Sequence, residues 1–104
     1  MEFNMSQFDR IWLQYHQTLQ NADELEELGN ELVRIADHEM NEVHQSLRNS
    51  WKGDAGDFYS RYQEIEAKRI REHGKKLQRT AAILRAAAQR VRDADLFAAA
   101  ITGR

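Results

Sequence analysis

Asn49-Ser50-Trp51-Lys52-Gly53-Asp54-Ala55-Gly56-Asp57 lies at the middle of the chain, and its reading decides the fold. It holds two glycines, two aspartates and one large aromatic, with long helical patterns on either side. Glycine takes backbone angles that other residues avoid, so it ends one helix and lets the chain reverse. Asp54 is placed to cap the next helix by accepting bonds from its free N–H groups, and Asp57 adds a second negative charge to that first turn. Trp51 is expected to fold back over the end of the hairpin as an anchoring aromatic. The stretch therefore predicts a turn between two helices.

Outward from this turn the apolar spacing is helical in both directions. From Ser6 to about Leu47, Phe8, Tyr15, Ala22, Gly29, Ala36 and Val43 recur every seven residues, with Ile11, Leu25 and Leu32 as companions. Trp12, Leu19, Val33, Met40 and Leu47 widen that stripe. In the second half, Ala55, Phe58, Tyr59, Tyr62 and Ile65 lead into a heptad series of Ile70, Leu77, Leu84, Val91 and Ala98. The expected fold is all-α: one hairpin domain, 1–104, with helix 1 at about 6–48, a turn at about 49–54 and helix 2 at about 55–100. A short turn makes the two helices antiparallel. Folding about Lys52 sets each residue of helix 1 opposite a mirrored residue of helix 2. Gly29 then falls beside Gly74, marking a close approach or a bend.

Each helix of a lone pair covers only one stripe of the other, and these stripes are wider than that. Trp12, Tyr15, Leu19, Val33, Met40 and Tyr62 are left as a predicted dimer interface, the kind of apolar patch that marks association. Two hairpins pairing into a four-helix bundle would cover it.

The formal net charge of −2 hides a polarity. Between Met1 and Ser50, ten acidic residues stand against Arg10, Arg34 and Arg48, a net of −7. Between Arg61 and Arg92, ten basic residues stand against Glu64, Glu66 and Glu72, a net of +7. The mirrored fold sets the acidic run Asp23–Glu31 beside Arg71–Arg79 and places His73 near Glu31. Ion pairing would thus favour the antiparallel arrangement.

Little in the chain points to chemistry. With no Cys there is no disulfide framework, thiolate metal site or cysteine nucleophile. His38 and His44 are six apart, so their rings diverge by about 120° on a helix; the metalloprotease pattern needs a spacing of four. No phosphate loop follows a strand, and no Ser/His/Asp spacing stands out. Catalytic residues, metal and cofactor are all expected to be absent. The basic second half invites phosphate contacts, but an acidic half of equal size, a pI near 6.1 and the lack of a reader motif argue against nucleic acid. No run is long and apolar enough to span a membrane. The opening Met1-Glu2-Phe3-Asn4-Met5 has neither a basic n-region nor an apolar h-region, unlike a Sec leader.

Trp51-Lys52-Gly53 resembles the W-x-G motif of the WXG100 (ESAT-6-like) family, at mid-chain between two long amphipathic helices in a chain of about the right length. The resemblance spans the whole sequence as architecture, while only Trp51 and Gly53 carry over residue by residue. It implies a helical hairpin that homo- or heterodimerises and is exported without a leader by a type VII (ESX/Ess) system through its secretion ATPase. The implied role is a secreted, non-enzymatic substrate or co-substrate. The family's C-terminal Tyr-x-x-x-Asp/Glu has no counterpart near the end of this chain; Tyr62 with Glu66 has the spacing but lies near the start of helix 2. A second implied role is therefore a partner or chaperone for the helical N-terminal domain of a larger effector. The rival of another class is a helical adaptor, or a nucleic-acid-associated hairpin using the basic helix.

Overall fold

The structure, a computed structural model, describes residues 5–50 and 53–102. The described residues are helical nearly throughout: α1 (Gln7–Arg34), a π-helical turn (Ile35–Glu39), α2 (Met40–Ser50) and α3 (Asp54–Ile101). This is the expected all-α class, with boundaries within a few residues of those read from the sequence. Ser6 caps α1: its Oγ accepts from the N–H of Asp9 at 3.0 Å, and its carbonyl accepts from the N–H of Arg10.

At the chain reversal the cap is Gly53, not Asp54. The Gly53 carbonyl accepts the first helical bond from the N–H of Asp57, so Asp54 is the first residue of α3. Gly53 has φ 93°, the single positive φ among the described residues. There a side chain is costly on backbone grounds alone, because a Cβ added at Gly53 would meet nothing within 4 Å. Gly53→Ala is expected to cost about 1–2 kcal/mol, and Gly53→Asn less, in thermal melts followed by circular dichroism. Trp51, the aromatic of the motif, lies outside the described residues, as does Lys52.

The chain divides into two compact units, Met1–Leu25 with Arg79–Arg104 and Glu26–Gln78. Each is an antiparallel helix pair. In the Glu26–Gln78 unit, Gly29 faces Gly74, Asn30 accepts from Gln78 at 2.8 Å, and Asp37 meets Arg71 at 2.7 Å. In the other unit, Asp23 meets Arg85 at 2.7 Å and Arg92 stacks on Tyr15. The mirrored register holds, shifted in the ion pairs by about one helical turn. The cross-helix ionic order is sparser than charge counting suggests. Glu31 is taken by Arg34 on its own helix, and His73 is exposed instead of facing it.

Small side chains line the inside. Ala22, Gly29 and Ala36 are buried on helix 1, as are Gly74, Ala81 and Ala88 on α3, again seven apart. Ile11 is the one large residue in the core, and no large side chain is fully buried among the described residues. The heptad of Ile70, Leu77, Leu84, Val91 and Ala98 is a flank instead. Its first three members are half-buried, Val91 is 58% exposed, and Ala99 is buried where Ala98 is not. A straight helix drifts about 20° per heptad against a strict seven-residue repeat, so a long heptad leaves the contact line.

Phe58, Tyr59 and Ile65, expected along the stripe, are also exposed; the inward positions there are Gly56, Ser60, Gln63 and Ala67. The π-helical turn was not anticipated. The N–H of Met40 reaches back to the carbonyl of Ile35, which adds a residue to that turn. Downstream positions rotate accordingly: Val43 is 48% exposed, and His44 takes its place on the inward side.

Candidate interaction surface

The inverted distribution of side-chain size, small inside and large outside, defines the surface of interest. In the unit Met1–Leu25 with Arg79–Arg104, Trp12 is 42% exposed. Its ring meets Tyr15 edge-on at 5.9 Å, and Tyr15 and His16 lie 5.4 Å apart. The guanidinium of Arg92 sits 4.5 Å from the Tyr15 ring centre and 5.4 Å from that of Trp12, within cation–π range. Asp93 holds Arg92 by a 2.9 Å hydrogen bond, which raises the pKa of Arg92; desolvation opposes the shift and Tyr15 adds to it. Two aromatics partly open to solvent thus share one guanidinium. Leu19, four residues past Tyr15, is half-buried.

A shallow groove of about 430 Å³ also runs along this unit. Both walls are mixed: Gln14, Thr18 and Asn21 stand with Ile11 and Tyr15 on α1, and Leu84 and Val91 with Arg92 and Asp95 on α3. Beyond it, Ile83, Phe97 and Ile101 are each about two-thirds exposed.

In the Glu26–Gln78 unit the predicted interface residues divide. Val33 is half-buried and packs toward Gly74. Met40 is half-buried beside Ala36, His44 and Ala67 around a 290 Å³ opening. Tyr62 is 54% exposed, with Phe58 and Ile65 at 65% and 58% one turn to either side. These three follow the i, i+4, i+7 spacing by which one helix anchors on another. Sequence reasoning named only Tyr62 for the interface. The signal it passed over is the small-residue line Ala67, Gly74, Ala81 and Ala88, which turns the large residues outward.

Among the described residues, His44 is the one histidine brought against other polar side chains across the pair. Ser60 Oγ lies 3.4 Å from both ring nitrogens, and Glu64 lies 3.6 Å from Nε2. A hydroxyl equidistant from both nitrogens is directed at neither lone pair, so Ser60 is not aligned for proton transfer to His44. His38 is exposed on the π-helical turn. Among the described residues no three His, Asp or Glu side chains gather as a metal site, and no helix is long and apolar enough to cross a membrane. Arg34 bonds Glu31 and Glu39 together, and its hydrogen bond holds the Glu31 carboxyl below the usual carboxylate range.

Comparison of the chain with protein-family models, with curated proteins and with solved structures yields no match.

Proposed function

We propose that this protein is a non-enzymatic partner-binding hairpin of the WXG100 kind, exported by a type VII secretion system as a dimeric substrate or co-substrate. The observation that carries the reading is the exposure of the large apolar side chains. Trp12, Phe58, Tyr62, Ile65, Val91 and Phe97 face solvent while alanine and glycine fill the interior. Helix–helix pairing with a second hairpin, of the same or a related chain, is the natural cover.

The helix reversal at Gly53, directly after Trp51 and Lys52, supports the W-x-G likeness. Tyr62 and Glu66, which have the Tyr-x-x-x-Glu spacing, stand near the start of α3. A second reading is that this protein escorts a companion chain that carries the C-terminal export element.

The test is export from a host with a type VII system, with Trp51→Ala and Gly53→Ala measured beside the wild type. Lost secretion of Trp51→Ala at a temperature where the variant is still folded is the expected result. Secretion of both variants at wild-type levels would remove the export reading. Light scattering behind size exclusion checks the pairing, which a stable monomer at micromolar concentration would refute.

A further inference from the structure

The π-helical turn (Ile35–Glu39) sets which side of α2 meets α3, and an ion pair spans it. Arg34 Nη2 lies 3.0 Å from Glu39 Oε1, five residues on. On a regular α-helix two such positions stand about 140° apart. The turn closed by the Met40 N–H on the Ile35 carbonyl is wider by one residue and brings them together. Arg71 of α3 holds Asp37 of the same turn at 2.7 Å. The residue this turn places inward gains little there. His44 is 14% exposed, yet Ser60 Oγ lies 3.4 Å from both ring nitrogens and Glu64 3.6 Å from Nε2, longer than well-made hydrogen bonds. Val43 meanwhile is 48% exposed, and no residue of α2 is buried. The 290 Å³ opening beside Met40, His44, Gln63 and Ala67 leaves room for another side chain.

Without the extra residue, an unbroken α-helix would turn α2 by about 100°. Val43, seven residues past Ala36, would then continue the buried line of Gly29 and Ala36, with Leu47 one turn on. His44 would swing toward solvent. Apolar burial favours that register. The Arg34–Glu39 pair opposes it, because the pair forms only across the wide turn. We propose that α2 is a rotary switch with two registers. In one, the π-helical turn and its ion pair set His44 against α3 and Val43 in solvent. In the other, a continuous α-helix sets Val43 and Leu47 against α3 and releases His44 and Glu39. The chain thereby chooses whether this face offers a valine or an imidazole. The switch lies within the Glu26–Gln78 unit and operates whether or not two hairpins pair.

Solution NMR on the full chain, with valine methyls labelled, tests it. The wild type should show strong cross-peaks from the His44 ring to Ser60 and weak ones from the Val43 methyls to Ser60 or Gln63. Glu39→Gln removes the ion pair and keeps the shape of the side chain. An ion pair this open to solvent biases an equilibrium by up to about five-fold. The ratio of Val43 to His44 cross-peaks should rise by about that factor. Deleting His38, an exposed residue of the π-helical turn, removes the extra residue and leaves α2 in its present facing. In that background Glu39→Gln should no longer move the ratio. A sample mixing labelled and unlabelled chains separates contacts within one molecule from contacts between copies. An unchanged ratio in Glu39→Gln overturns the proposal. Loss of both sets of cross-peaks does so too, since that is local unfolding and not rotation. An equal rise with His38 deleted also overturns it, because the pair would then act without the turn.

Discussion

Replacing Gly29 with Ala lowers the melting temperature, although the same change in an exposed helix would raise it. In isolation, Ala in place of Gly gains about 1 kcal/mol of helix stability. Here a Cβ on Gly29 would stand 2.6 Å from the Gly74 carbonyl oxygen and 3.0 Å from Gln78 Cγ. A Cβ on Gly74 would in turn stand 2.7 Å from the Gly29 carbonyl oxygen and 2.8 Å from Val33 Cγ2. The nearest obstacles are backbone atoms of the facing helix, which move only if the helices separate. Each glycine instead directs a Cα hydrogen at the other's carbonyl, a weak but recurring helix–helix contact. Overpacking of this kind costs about 1–3 kcal/mol, with rigid obstacles at the upper end. The net effect is a loss of about 2 kcal/mol for Gly29→Ala or for Gly74→Ala. For a domain of this size that lowers Tm by roughly 10 °C. The melts should be run at one fixed protein concentration, because association raises Tm by mass action. A Tm that rises in both variants would mean that the helices do not approach closely at this point.

Trp12→Ala separates folding from association in the opposite sense. The ring is 42% exposed, meets Tyr15 and His16 on its own helix and lies against the Arg92 guanidinium. Its removal should cost the isolated hairpin about 1 kcal/mol, the worth of a cation–π contact of this kind. If Trp12 anchors the apolar pairing, its truncation costs association about 2 kcal/mol or more, a dissociation constant raised by about 30-fold. Tyr62→Ala should act in the same direction, since Tyr62 is 54% exposed. Val33→Ala should act through folding instead, because Val33 packs toward Gly74 in its own molecule. Dilution series by light scattering, paired with melts, distinguish the two patterns. Equal dimer affinity in wild type and Trp12→Ala would remove Trp12 from the interface.

Element type and order were legible from the chain because two long 3.6-residue patterns flank a Gly-rich break, and local preference and burial agree there. The mirrored register was legible to within about a turn for the same reason: one short reversal leaves little freedom in the pairing. The facing of the side chains was harder to read. Ile70, Leu77, Leu84, Val91 and Ala98 look like a core seam when hydrophobicity is scored, whereas Ala67, Gly74, Ala81 and Ala88 do not. Close approach reverses that ranking, since a seam of small residues lets the helices touch and pushes the large ones to the flanks. The interface set divides along that line: Trp12 and Tyr62 are open, Tyr15, Leu19, Val33 and Met40 half-buried.

The sequence by itself determined that the chain is helical, that it reverses once near Gly53, and that Gly29 and Gly74 mark the same level. These follow from composition and spacing, which act locally along the chain. Only the tertiary structure decided that Gly53 and not Asp54 caps α3, that a π-helical turn exchanges Val43 for His44 on the inward side, and which charges are consumed. Arg71 and Arg85 are tied to Asp37 and Asp23, while Lys68, Lys75 and Lys76 face outward. The reason is geometric. A helical pattern says that residues share a face, but which face meets the other helix depends on how closely two backbones can approach.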